Sequence, residues 1–233
     1  MSQWSIVFAL CFVACIPKKK PGESPGMGNV AEGKACPPDN GLIDDAEDGN
    51  NGAKAIKGRG GYWYTFADDA GSTIEPTKGG TFMMASGGAN GSQFAARFKG
   101  KVGGGKIVYA GAGVNFTEPR GPYDASQYGG ISFWAKRGAG TGNVRLKVPD
   151  INTSDSGKIC TECFNDFGAD LQFTEKWTKY VVPFSEMKQL AGWGSPHPPA
   201  IDRTKIYGVQ FQVNSPNQDY DIWVDQLEFT GCK

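Results

Sequence analysis

Ile131-Ser132-Phe133-Trp134-Ala135-Lys136 places Ile131, Phe133 and Ala135 on one side and Ser132, Trp134 and Lys136 on the other. That period of two belongs to a half-buried β-strand. The same rhythm continues outward in both directions. Residues 143–149 align Val144, Leu146 and Val148, and residues 206–213 align Val209, Phe211 and Val213. Residues 220–229 carry Ile222, Val224, Leu227 and Phe229, with a phase slip at Asp225-Gln226 that predicts a bulge. Upstream, residues 107–116 align Val108, Ala110, Ala112, Val114 and Phe116. Segments 42–47, 62–66, 81–84, 93–98 and 177–184 complete about ten strands. No longer segment repeats at the helical period, apart from one turn predicted at 185–190, so parallel α/β folds are excluded. Many short strands and 34 glycines predict an all-β, two-sheet antiparallel sandwich of jelly-roll type.

Composition narrows the partners. The 233 residues hold 24 Lys+Arg and 24 Asp+Glu, a balance that argues against a nucleic-acid partner. Residues 6–16 form an unbroken apolar run of the length of a secretory signal, too short for the roughly 20 residues of a spanning helix. The run ends Phe12-Val13-Ala14-Cys15, similar to a bacterial lipobox in which the cysteine is lipidated. The alternative is an ordinary cleaved signal peptide. Residues 16–35, with Lys18-Lys19-Lys20 and scattered Pro and Gly, read as a flexible tether. The folded domain is then 36–233, exported and touching the membrane only through a lipid on Cys15. It is expected to be a monomer in the cell envelope, or otherwise secreted.

Export predicts disulfides among Cys36, Cys160, Cys163 and Cys232. Three pairings are possible. We favour Cys36–Cys232, which staples the two ends of the domain, with Cys160–Cys163 pinning a long loop. Closing the larger ring removes on the order of 4–5 kcal/mol of unfolded-state entropy. A redox Cys-x-x-Cys lacks its βαβ setting, and a zinc site lacks ligands in a chain with one histidine, His197.

If alternate residues fill the core, Trp134, Arg145, Lys147, Gln210, Gln212 and Tyr109 point outward. One sheet face carrying a ring, cations and amides suits a sugar. The apolar face of a pyranose stacks on aromatics, and its hydroxyls bond amides and Arg. Solvation alone also gives polar outer faces. Trp63 reads as structural, and Trp177, Trp193 and Trp223 read as core aromatics. Asp44-Asp45-Ala46-Glu47-Asp48-Gly49-Asn50-Asn51 is rich in oxygen ligands but lacks EF-hand spacing, so spacing alone favours an acidic turn.

Leu42-Ile43-Asp44-Asp45-Ala46-Glu47-Asp48-Gly49, Gly60-Gly61-Tyr62-Trp63-Tyr64, Gly129-Gly130-Ile131-Ser132-Phe133-Trp134-Ala135-Lys136 and Ile222-Trp223-Val224-Asp225-Gln226-Leu227-Glu228-Phe229 resemble, in that order, the galactose-binding-like β-sandwiches. The resemblance is to the family-eleven type of carbohydrate-binding module and related domains of exported bacterial lipoproteins, over roughly residues 41–230. It implies a glycan site on a concave sheet face and a structural Ca2+. The metal positions it matches are Glu47 and Asp225, with Asp45 and Asn51 as weaker candidates.

The expected function is non-catalytic binding of a poly- or oligosaccharide. An envelope scaffold that binds a protein partner is the alternative, and a glycan-active hydrolase the second. The chain has no Gly-x-Ser-x-Gly elbow, and its one histidine lies in Pro196-His197-Pro198-Pro199, which disfavours a serine triad.

Overall fold

The computed structural model describes residues 36–232, so the expected leader, lipidated Cys15 and tether lie outside the described residues. Within them a short helix α1 (Pro38–Gly41) leads into β1 (Leu42–Asp44), β2 (Trp63–Ala67), β3 (Thr73–Glu75), β4 (Ala85–Ser86), β5 (Phe94–Lys101) and β6 (Ala110–Asn115). Then follow β7 (Gly130–Arg137), β8 (Asn143–Val148), β9 (Phe167–Gln172), β10 (Thr178–Pro183), β11 (Gly208–Val213) and β12 (Asp219–Thr230). One sheet has the order β10-β7-β12-β5-β3, with β1 beside β12 and β4 beside β5. The other has the order β2-β6-β11-β8-β9. All named pairings are antiparallel.

The alternating apolar residues meet between the sheets. Phe133 of the seven-stranded sheet meets Phe211 of the five-stranded sheet edge-on at 5.0 Å. Trp63 stacks on Phe211 at 6.4 Å and on Phe82 at 5.6 Å, which makes it a core residue as expected. Burying each such ring stabilises the fold by roughly 2–3 kcal/mol. The phase slip in β12 is a bulge: its register with β7 shifts between Asp225 and Glu228, and Gln226 adopts φ 47°.

Both ends of the domain are fastened. Cys36–Cys232 and Cys160–Cys163 are both formed, with Cα separations of 5.2 and 5.1 Å. Beside the first, the buried Arg59 guanidinium donates to Tyr123 Oη at 2.7 Å and Tyr128 Oη at 3.2 Å. It also donates to the carbonyls of Asn40 and Leu42 at 2.8 Å each.

Some local expectations differ. Residues 81–84 are irregular rather than a strand: Phe82 and Met84 fill the core, but the pairing to β5 falls on Ala85 and Ser86. β3 and β9 were not expected. β9 follows directly on a loop whose Gly, Asp and Asn content masks where pairing begins. The predicted helical turn is a 3₁₀ turn at Phe184–Glu186, a residue earlier than expected.

Candidate functional site

Antiparallel register lays out the outer face of the five-stranded sheet in rows. One row reads Tyr64, Gly113, Gln210, Lys147, Gly168 across β2, β6, β11, β8 and β9. The next reads Phe66, Gly111, Gln212, Arg145, Asp170. Their strand neighbours Thr65, Ala112, Phe211 and Leu146 are buried between the sheets, so these two rows face outward.

Glycines on β6 shape this face. A Cβ on Gly111 would meet Phe66 Cζ at 2.6 Å, and one on Gly113 would meet Tyr64 Oη at 2.9 Å and Gln210 Cγ at 3.0 Å. The bare strand thus lets two β2 rings lie across it. Tyr64 and Phe66 have centroids 6.2 Å apart, and Tyr109 continues the strip 6.3 Å from Phe66. All three are half-buried, leaving ring surface open to solvent.

Polar groups flank the rings. Gln210 Nε2 donates to Tyr64 Oη at 2.8 Å. Burial raises the Tyr64 hydroxyl above its ordinary range, and the Gln210 bond partly offsets this. Lys147 Nζ donates to Gln212 Oε1 at 3.2 Å and to the Phe164 carbonyl at 3.0 Å, and pairs with Asp166 Oδ2 at 3.0 Å. An ammonium only donates, so the oxygen of the Gln212 amide must face it. The Gln212 NH₂ is therefore the end left for an external acceptor. Arg145 donates to Asp170 Oδ1 at 3.0 Å and to the Lys188 carbonyl.

Five of the six expected ligand residues thus share one face. Arg145 and Lys147, however, are only 6% and 7% exposed and bond protein groups, so they hold the face together instead of presenting open forks. Trp134 is elsewhere. It lies on β7 in the seven-stranded sheet, between Lys179 of β10 and Asp225 of β12. Alternation separates inside from outside on one strand, but it does not say which sheet the strand joins. Trp177 and Trp223 also depart from the core role expected of them. Arg97 Cζ and Lys136 Nζ lie 4.4 and 4.7 Å from the Trp223 ring centre, and Lys136 is 4.8 Å from Trp177. Trp193 is exposed on a loop.

The acidic segment divides. Asp45 pairs with Lys54 at 2.9 Å and its Oδ1 accepts from the Glu47 amide at 3.2 Å, while the Asn51 carbonyl accepts from Trp63 N. Glu47 Oε1 accepts from Ser92 Oγ and the amides of Gln93 and Phe94 at 2.6–3.0 Å, and the Ser92 bond foremost lowers its pKa. Asp225 is buried and its pKa is raised, by desolvation first; nearby Glu47 adds to the rise. A side chain at Gly88 would strike the Phe94 carbonyl at 2.4 Å, Ser92 Oγ at 2.6 Å and Asp225 Oδ2 at 2.7 Å, so three oxygens converge there. Two neighbouring carboxylates, a hydroxyl and a carbonyl are hard-cation donors. Among the described residues no group of three or more His, Cys, Asp or Glu comes together to hold a metal.

Other carboxylates build turns. Asp68 accepts from the amides of Ala70 and Tyr109 at 2.6 Å, and Asp150 from those of Asn152, Thr153 and Asp202. Tyr64 and Phe66 were not singled out from sequence as site residues, because each lies opposite a bare position, Gly113 or Gly111, that only strand pairing brings beside it.

The chain as a whole is similar to known proteins. The sequence profile of carbohydrate binding domain 30 matches residues 61–231. Among solved structures, the family 11 carbohydrate-binding module of cellulosomal cellulase Lic26A-Cel5E of Clostridium thermocellum is similar at TM-score 0.57 and 16% identity, over 82% of this chain and 94% of that one. A family 11 module from the same organism, in complex with a β-1,3-1,4-mixed-linked tetrasaccharide, is similar at TM-score 0.54 and 16% identity, over 79% and 96%. The family 30 module of cellulosomal cellulase Cel9D-Cel44B of Clostridium thermocellum is similar at TM-score 0.53 and 10% identity, over 82% and 95%. A comparison with curated protein sequences finds no match. With most of its length matched by that profile, the chain belongs to the carbohydrate binding domain 30 family.

Proposed function

We propose that the glycan lies on the outer face of the five-stranded sheet, along Tyr64, Phe66 and Tyr109, with Gln210 and Gln212 reading its hydroxyls. Non-catalytic carbohydrate binding by the domain follows from the family. The choice of face rests on one observation: three half-buried rings in a line beside two amides, one of which has its polarity fixed by Lys147. Pyranose C–H faces stack on such rings, and water is displaced from apolar ring surface. Lys147, paired with Asp166, keeps the Gln212 amide in place, and Tyr64 keeps that of Gln210. We extend this to the whole protein, which acts as a binder and has no catalytic role. The natural probe is the β-1,3-1,4-mixed-linked tetrasaccharide bound by the family 11 module, beside cellulose- and xylan-derived oligosaccharides. Calorimetry with Phe66→Ala and Tyr64→Ala is expected to show losses of about tenfold or more, the size typical of a buried aromatic anchor. Unchanged affinity in both variants would place the glycan elsewhere.

We assign Glu47 and Asp225 to a structural calcium, joined by the Phe94 carbonyl and Ser92. Bound at that point, the ion would tie the segment after β1 to the last strand. Calcium is expected to raise the Tm of the protein and chelation to lower it, with no shift in Asp225→Asn. We further place the protein outside the cytoplasm, in keeping with its two disulfides, and attached through a lipid on Cys15. Cys15→Ser is expected to move it from the membrane fraction to the soluble one. No helix of the described residues is long and apolar enough to cross a membrane.

A further inference from the structure

Phe164 is out of place by every local rule. It is a large aromatic, yet 55% exposed. Its φ is +75°, a backbone region that bulky L-residues rarely enter and that costs roughly 1–3 kcal/mol. Asn or Gly would occupy it at lower cost. Burial offsets the strain only in part, because the residue is 55% exposed and has no aromatic partner among the described residues.

The surroundings nevertheless fix it from several sides. The adjacent Cys163 is bridged to Cys160. The Phe164 amide donates to the Thr153 carbonyl at 2.8 Å, and its own carbonyl accepts from Lys147 Nζ at 3.0 Å. Two residues on, Asp166 pairs with the same ammonium. Asn165 Nδ2 donates to the carbonyls of Leu190 and Trp193 at 2.8 and 2.5 Å, which fastens a second loop beneath it. Held strain at an exposed residue points to use of that residue.

Its position says what use. Lys147 belongs to the same cross-sheet row as Tyr64, three strands away. At about 4.8 Å per strand, Lys147 lies roughly 14 Å from Tyr64 with Gln210 between them, and its ammonium holds the Phe164 carbonyl at that end of the row. We propose that Phe164 is a further glycan-contacting aromatic, which stacks on a second pyranose of the chain whose first stacks along Tyr64 and Phe66. The inference rests on the five-stranded face being the binding face. It makes the Cys160–Cys163 loop a wall of the site and favours ligands of more than one sugar ring.

The test uses the full chain with disulfides intact and calorimetric titration of the β-1,3-1,4-mixed-linked tetrasaccharide, with cellulose- and xylan-derived oligosaccharides beside it. Phe164→Asn suits the left-handed backbone, so its Tm is expected to stay level or rise by a few degrees while affinity falls about tenfold. Phe164→Tyr keeps a ring and is expected to retain affinity. A purely structural Phe164 gives the opposite pairing, with Tm and affinity falling together, and that result would overturn the assignment. Affinity retained in Phe164→Asn but lost in Phe66→Ala also overturns it, while the face itself stands. Affinity retained in both, or no binding by the unaltered protein to any of these glycans, overturns both.

Discussion

Lys147→Met tests whether the proposed binding face is held together by a buried ion pair. Lys147 and Asp166 have side chains 9% and 2% exposed and meet at 3.0 Å. Asp166 Oδ1 is buried without a hydrogen-bond partner, so the ammonium is the main compensation for that carboxylate. Removing one member of such a pair costs about 3–5 kcal/mol, because the survivor is left buried and uncompensated. For a domain of this size that is a Tm loss on the order of 10 °C. The pair itself adds much less than this loss suggests. Asp166→Asn alone leaves Lys147 bonded to Gln212 and the Phe164 carbonyl, so its cost should be about 1–2 kcal/mol. Lys147→Met/Asp166→Asn should recover at least about 2 kcal/mol of the sum of the two single losses. Urea melts followed by circular dichroism, at constant slope, measure all four corners of the cycle. A Lys147→Met cost below about 1 kcal/mol, or strict additivity, would refute a buried pair as the support of this face.

Three other outcomes follow from named contacts. Gln212→Glu keeps an oxygen for Lys147 but replaces the outward NH₂ with a second oxygen; glycan affinity should fall about tenfold with Tm unchanged, and unchanged affinity would remove Gln212 from the contacts. Asp44 is held at a pKa of about 7, by burial first, against the Trp63 indole bond that stabilises its charge. Because the folded pKa lies above the ordinary 3.8, the unfolded chain ionises first as pH rises; stability should drop by about 4 kcal/mol between pH 4 and 7 and then level off. Asp44→Asn should abolish that slope in urea melts at pH 4.5, 6 and 8, and an identical slope in both proteins would clear Asp44 of the effect. Arg59→Met removes donors from the Tyr123 and Tyr128 hydroxyls and the Asn40 and Leu42 carbonyls, of which Tyr128 and Asn40 keep a bond to each other; a loss of about 2 kcal/mol or more is expected, and near-neutral stability would show that the guanidinium does not fasten this end of the domain.

Much of this fold is legible in the chain because strand alternation is a local rule. Phe133, Leu146 and Phe211 point inward as their spacing requires, and the slip at Asp225-Gln226 is the bulge it implied. The site is less legible because it depends on which strands become neighbours. Trp134 and Gln210 satisfy the same outward rule and end on opposite sheets. Arg145 and Lys147 are outward on their strands, but loops from 160–166 and 188 return over them. The Tyr64 and Phe66 platform needs Gly111 and Gly113 on the adjoining strand, a pairing over forty residues apart that no local pattern announces. Glu47 lies near enough to Asp225 to add to its raised pKa, a proximity across most of the chain that spacing cannot show, and Asp45 pairs with Lys54.

The tryptophans of the seven-stranded sheet bear on valency. Trp223 is flanked by cations from both neighbouring strands, Arg97 on β5 and Lys136 on β7, and Lys136 reaches on to Trp177. Indole surface engaged by its own protein's ammonium and guanidinium groups is not open to a pyranose. With the glycan on the five-stranded sheet as proposed, the described domain grips on one side only. It is then expected to coat a polysaccharide without bridging two strands, so mixing it with a long glucan should leave the solution's viscosity without a crosslinking rise.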